Sequence, residues 1–291
     1  VGTLGVGANA LETTVATLSA QAGAGGINLR ETDGLTVDNT GATVQAVNPD
    51  ATVTPVTDAA QSDLVTTGNG SLVVTTTNGP LTVNEGDADD TGVSANGTGN
   101  VRLSAGGAGS DLGLNADVES GTGHVTLLAA DAMTLAATVD VTTAGGGTVD
   151  VLAGTGSLVM SDTATVQTVN GDIRMSAGDD VLDQIVLGDV TAANGNVSLA
   201  TPGSVLDAGD ADAEVTALGL RVVAGKGFGL LAGNSLSQPA NAIETAVTTV
   251  SILVRGSDGV NLVEADALVV GDVFSPVDGG RSVSVNTVNA D

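Results

Sequence analysis

The chain has 291 residues and a formal net charge of −27, with one Lys, six Arg and no Cys. This balance offers no basic footprint for nucleic acid, disfavours an anionic membrane surface, and rules out disulfides and thiolate metal centres. Apolar residues reach 42% but include two Phe and no Trp or Tyr, which excludes a disordered chain and points to a narrow Val, Leu and Ala interior.

No run of about 18 apolar residues marks a membrane helix, and the aromatic girdles of a membrane barrel are missing. No membrane insertion is expected. The opening VGTLGVG lacks both Met and a signal-peptide pattern, which reads as a piece of a longer chain.

In chain order, the first feature is a phrase that returns. ANALETTVATLS (8–19) is rewritten as ANAIETAVTTVS (240–251), and GINLRETDGLTV (26–37) as GVNLVEADALVV (259–270), at offsets of 232 and 233. The chain thus holds one full long repeat, 1–232, and the start of the next, 233–291, continuous with the same rod. A module repeated on this scale is most simply part of an array. Residues 48–63 follow without a clear period and are expected as a protruding loop. Gly70 then heads GSLVV, 29 residues before the next such glycine, and the acidic run NEGDADD (84–90) is the natural place for the surplus. Residues 84–98 form the second expected protrusion.

A short period governs the next hundred residues. Glycines at 99, 123, 147, 171 and 195 stand 24 apart, and each precedes an apolar–polar–apolar phrase: Val101/Leu103, Val125/Leu127, Val149/Val151, Ile173/Met175, Val197/Leu199. Such alternation predicts strands with one buried face. Two further phrases fall in each period. SLVM (157–160), DVLD (180–183) and SVLD (204–207) mark a second strand; TVDV (138–141) and TVQTV (165–169) mark a third. LRVVA (220–224) continues the alternation with its phase shifted by one. Forty-two glycines argue against long helices.

The fold class that follows is all-β: a parallel β-helix, or β-solenoid, of about 24 residues and three short strands per coil. Its hand is expected to be right, the default for parallel crossovers. Roughly 12 coils at about 4.8 Å give a rod of about 55–60 Å.

The phrases GNVSLA (195–200), GDIRMSAG (171–178) and GSVLDA (203–208) resemble those of very large repetitive bacterial surface proteins, the filamentous-haemagglutinin-like and giant adhesin-like β-solenoids. The resemblance implies secretion, an extracellular, cell-surface location and a role as adhesin stalk or filament. It brings no catalytic motif.

Candidate chemical groups are few. His124 is the one histidine and shares a polar corner rank with Asn100, Thr148, Asp172 and Asn196, so it reads as a turn residue. Asp183 and Asp207 are 24 apart and are expected to stack. Stacked carboxylates repel unless a proton or a cation lies between them, and the same pairing would suit a retaining glycosidase. The candidate calcium ligands are Asp183 and Asp207, the loop Glu85, Asp87, Asp89 and Asp90, and the group Asp207, Asp210, Asp212 and Glu214. The last has EF-hand-like spacing without the loop glycine and distal Glu. GGAGSDLGL (106–114) is a near miss to a calcium nonapeptide. No metal, cofactor or catalytic residue is assigned. Asp150 and Arg174 are expected to form a cross-coil ion pair.

The function expected is a structural module: a rigid stalk or end-to-end filament, whose partners are adjacent copies of the same repeat and a host or surface protein or glycan on its loops. The alternative is a β-helix polysaccharide lyase or hydrolase, which needs a groove with clustered Asp, Arg or Lys and aromatics on one face; six Arg and one Lys look scattered in the sequence, and it has no Trp or Tyr.

Overall fold

The structure, a computed structural model, describes residues 2–209, 212–229, 242–256, 258–274 and 283–287. These residues form strands and turns, and no helix is long and apolar enough to cross a membrane.

The strands stack in three parallel ladders, one per face of the coil. The first face carries Leu11–Thr13, Ile27–Glu31, Leu72–Thr76, Val101–Ala105, Val125–Ala129, Val149–Ala153 and Ile173–Ala177. It continues through the second halves of Asp189–Thr201, Val215–Ala224 and Ile243–Val254, and through Val269–Phe274. The second face includes Leu81–Val83, Leu112–Leu114, Met133–Leu135, Leu158–Met160 and Ile185–Leu187. The third includes Leu64–Thr66, Thr91–Ala95, Asp117–Ser120, Asp140–Thr143 and Thr165–Thr168. The first-face ladder counts eleven rungs among the described residues, about 50 Å at ordinary strand spacing. That is shorter than a uniform 24-residue coil implies, because several coils are longer.

The 24-residue register holds where it is expected. Val101, Val125, Val149, Ile173 and Val197 pair in sequence, and the next step, to Leu220, is 23, the one-residue shift seen in LRVVA. Inward positions such as Val125, Leu127, Met133, Leu135 and Val141 are buried. One coil encloses too few such side chains to offset the entropy of ordering its backbone. Stacking removes both flanks from water and makes the fold cooperative along its axis.

Two corner ranks lock the register. At each corner glycine a Cβ would overlap the carbonyl oxygen of the glycine one coil below: Gly99 on Gly70, Gly123 on Gly99, Gly147 on Gly123, Gly171 on Gly147 and Gly195 on Gly171. Glycine stands here because the backbones approach too closely for any side chain. Beside them, buried hydroxyls serve the same carbonyls. Thr66 donates to Gly70, Ser120 to Gly99, Thr143 to Gly123 and Thr168 to Gly171, at 2.6–2.8 Å.

Insertions leave the stack at its corners. The step from Ile27 to Leu72 spans 45 residues, and the surplus forms an antiparallel hairpin, Thr43–Val47 with Val53–Thr57. Every residue of both strands is exposed. The expected loop 48–63 is therefore the turn and second arm of this hairpin plus the return. The acidic run 84–90 does hold the surplus of its coil, but 91–95 is already strand, so the second protrusion ends at residue 90. Of the second-strand phrases, SLVM and SVLD lie in strands while DVLD is a turn, with Ile185–Leu187 taking that rung.

The long repeat recurs in three dimensions. Leu11 pairs with Leu29 as Ile243 pairs with Leu262, and Leu18 pairs with Val37 as Val250 pairs with Val270. Glu31 and Glu264 are fully buried. Each accepts a hydroxyl hydrogen bond from its threonine, Thr13 at 2.6 Å and Thr245 at 2.7 Å, and a backbone N–H from Val15 or Val247. The first pair sits on the first face and the second on the third: Glu31 is in line with Thr76, whereas Thr245 is in line with Val215. Eight full coils and two further faces thus separate corresponding residues. The expected boundary at 232/233 lies outside the described residues.

Candidate functional site

The chemistry-bearing residues gather at two places, an acidic corner and a basic face. The corner leads into the third face. The residue preceding the first buried side chain of each strand there is Asp63, Gly92, Asp117, Asp140, Thr165, Asp189, Glu214 and Glu244 in successive coils; that side chain is Val or Leu except for Thr245 after Glu244. Two of the carboxylates in this rank accept the backbone N–H of the coil above. Asp117 Oδ1 accepts from Asp140 N at 2.7 Å, and Glu214 Oε2 accepts from Glu244 N at 2.5 Å. Stacking them has an electrostatic cost. Burial, with the charges of Asp140, Glu119 and Asp90 behind it, raises the carboxyl of Asp117. Burial together with Glu244 and Asp207 pushes Glu214 up to about 9, so Glu214 keeps a proton at neutral pH.

Three-carboxylate clusters lie near both ends of this rank. In one, Asp207, Glu214 and Glu244 bring carboxylate oxygens within 4.8 Å of one another. In the other, Asp63 meets Asp87 and Asp89 at the same separation. Asp63 is 3% exposed and its Oδ1 has no hydrogen-bond partner. It holds a left-handed backbone, φ 62°. Burial first, then the charges of Asp87, Asp89 and Glu85, raise its carboxyl. The loop above is folded by Glu85, whose Oε1 accepts the N–H groups of Asp87, Ala88 and Asp89.

The expected stack of Asp183 on Asp207 is not formed. Asp207 pairs with Leu187, and the backbone of Asp183 lies against Gly203. The second face advances 20 residues here, from Ile185 to Val205, not 24. Asp183 Oδ2 instead caps its own turn by accepting from Asp179 and Asp180 N–H. The paired-carboxylate geometry considered for a glycosidase is therefore absent at these two residues. Of the other calcium candidates, Asp87, Asp89, Asp207 and Glu214 fall in the two clusters. Asp90 and Asp212 are exposed outside them, and Asp210 lies outside the described residues. Asp63 and Glu244 were missed. Their signal was the rank before each third-face strand, hidden by irregular spacing.

His124 is part of the corner scaffold. Its N–H donates to Asn100 Oδ1 at 2.8 Å, and its Nδ1 accepts from Thr148 N–H at 3.2 Å. Asn196 N–H repeats the arrangement on Asp172.

The basic face is the outer side of the first face. Arg102, Thr126, Asp150, Arg174, Ser198 and Arg221 form one outward rank, and Arg30 points outward from the same ladder. Four of the six arginines that look scattered in sequence are brought to this face by winding. The expected ion pair is present, with Arg174 Nη1 2.7 Å from Asp150 Oδ1 and both side chains solvent-accessible, so its contribution is at most about 1 kcal/mol. An open groove of about 510 Å³ runs beside it, lined by Arg174, Arg221, Asn196, Ser198, Leu220 and Thr249. No family model, curated protein or solved structure matches the chain.

Proposed function

We propose that this chain is a non-catalytic structural module of a large bacterial surface protein, working outside the cell as a stiff length of adhesin stalk or of a filament stacked end to end. The observation that carries this reading is the pairing that recurs after the long repeat: Leu11↔Leu29 and Thr13–Glu31 return as Ile243↔Leu262 and Thr245–Glu264. A second copy that starts by stacking directly on the first needs no linker, so bending is resisted by every ladder at once. Adjacent copies are the partners this implies, and open strand ends are hidden inside a neighbour rather than left to aggregate. The test is electron microscopy of a chain in which residues 1–232 are placed before the full 291. The expected result is one unbent rod, longer by about 40 Å, from eight and two-thirds coils at about 4.8 Å each. A hinge at the junction, or a compact pair, would overturn the reading.

A polysaccharide lyase or hydrolase is the alternative, and the gathering of Arg102, Arg174 and Arg221 on one open face favours an anionic glycan as a ligand of that surface. Turnover of an acidic polysaccharide that disappears in Arg174→Ser/Arg221→Ser would replace the structural reading with the enzymatic one.

A further inference from the structure

The acidic loop at 84–90 sits over a buried carboxylate in a way that the rod architecture does not require. Third-face strands follow the second face after only two residues in the regular coil above, Asn115 and Ala116 between Leu112–Leu114 and Asp117–Ser120. Here seven residues intervene between Leu81–Val83 and Thr91–Ala95, and five of the seven are acidic or asparagine: Asn84, Glu85, Asp87, Asp89 and Asp90. The loop is drawn down onto the coil beneath. Asn39 Nδ2 donates to Gly86 O at 3.1 Å, and Ser62 Oγ donates to Asp87 Oδ2 at 2.8 Å. A Cβ on Gly86 would lie 3.2 Å from Asp63 Oδ1, so that oxygen faces the loop.

The chain has no Lys or Arg between Arg30 and Arg102, and those two arginines reach Thr77 and Thr75 on the first face. No basic side chain of this segment compensates the cluster. Yet Asp63 is buried with Oδ1 unpartnered, in a backbone conformation that non-glycine residues seldom adopt. A buried carboxylate oxygen without a hydrogen bond, facing two more carboxylates, lacks a positive group between them.

We propose that Asp63, Asp87 and Asp89 form a calcium site that pins the 84–90 loop to the coil below, a property beyond the structural role argued above. The oxygens lie within 4.8 Å of one another, the span of ligands about 2.4 Å from a shared ion, and hard oxygen donors on an irregular loop suit Ca²⁺ better than the strict octahedron of Mg²⁺. Glu85 holds the loop's N–H groups and shapes the site. Its neighbours Asp87 and Asp89 supply the charge. Exposure of those two side chains places the affinity in the weak class of extracellular modules, about 10⁻⁴–10⁻³ M.

The test measures bound calcium by equilibrium dialysis, and Tm in calcium, magnesium or EDTA, on the 291-residue chain. Wild type is expected to gain about 2–4 °C in Tm at saturating Ca²⁺, with less from Mg²⁺. Asp87→Asn/Asp89→Asn changes only exposed groups; it should lose one equivalent of bound Ca²⁺ and the accompanying Tm rise. Asp63→Asn should also lose both, while its Tm in EDTA is no lower than wild type, because an uncompensated buried charge has been removed. Glu214→Gln, in the other cluster, should keep that equivalent. No binding by wild type, an unchanged count in the double variant, or an equal response to Mg²⁺ would overturn the site.

Discussion

Residues 99–201 and residues 38–98 wind about the same axis but are held in different ways. In the first stretch each rank meets its counterpart one coil away: glycine on glycine, hydroxyl on glycine carbonyl, valine on valine. In the second, the strands keep their ranks, with Leu29, Val74 and Leu103 still in line, while the coils lengthen and shed the surplus as a hairpin and an acidic loop. Winding therefore tolerates added length between faces far better than added volume at a corner. The corner is fixed by backbone contact, whereas the connection between faces borders on solvent.

The largest effect that sharpens this contrast is expected from one pair of adjacent glycines. Gly147→Ala places a methyl on the carbonyl of Gly123 and on Thr143, and should destabilise by about 2–3 kcal/mol in denaturant unfolding. Gly146→Ala meets nothing within 4 Å and should be near neutral. Equal effects would show that the corner column does not set the register.

An intermediate effect is expected in the acidic rank, regular in position but not in chemistry. The folded-state pKa of Glu214 is raised from 4.5 to about 9. The stability associated with its proton is therefore complete below about pH 4.5 and declines as pH rises toward 9, because the unfolded chain releases a proton that the folded one retains. Glu214→Gln should flatten the profile of Tm against pH between 5 and 9 and raise Tm by a few degrees at the alkaline end. A profile as steep as wild type would remove Glu214 as its source.

The smallest effect is expected from the hairpin. Asp58 N–H already donates to Ala42 O at 2.9 Å, so replacing residues 43–57 by an Asn-Gly turn leaves that junction closed. Stability should change by less than about 1 kcal/mol. A large loss in thermal unfolding would mean that the hairpin supports the stack.

The period, the three faces and the corner glycines were legible because close backbone approach permits only one residue type, and that residue marks every coil. The hairpin was less so. TVQAV and VTPVT (43–47, 53–57) alternate as strands do around the turn-forming Asn48-Pro49-Asp50, but no 24-residue echo accompanies them. A constant 24-residue interval misplaces the carboxylate stack, because the second face advances by only 20 there. The real acidic rank steps by 23 from Asp117 to Asp140 and by 30 from Glu214 to Glu244, so no fixed period finds it. The basic face is invisible for the same reason: Arg102, Arg174 and Arg221 are 72 and 47 residues apart and fall into one outward rank, three and two rungs apart, only once the chain is wound.

The corresponding buried glutamates of the two copies, Glu31 and Glu264, stand on different faces, and this sets the symmetry of anything built from such copies. Because a repeat ends two faces beyond a whole number of coils, each copy in a tandem is turned about the axis relative to the one before, and three are needed to restore the starting orientation. Decorations carried once per copy, such as the projecting valine hairpin, would then emerge in a helical pattern around the shaft, and no side of it would be left bare.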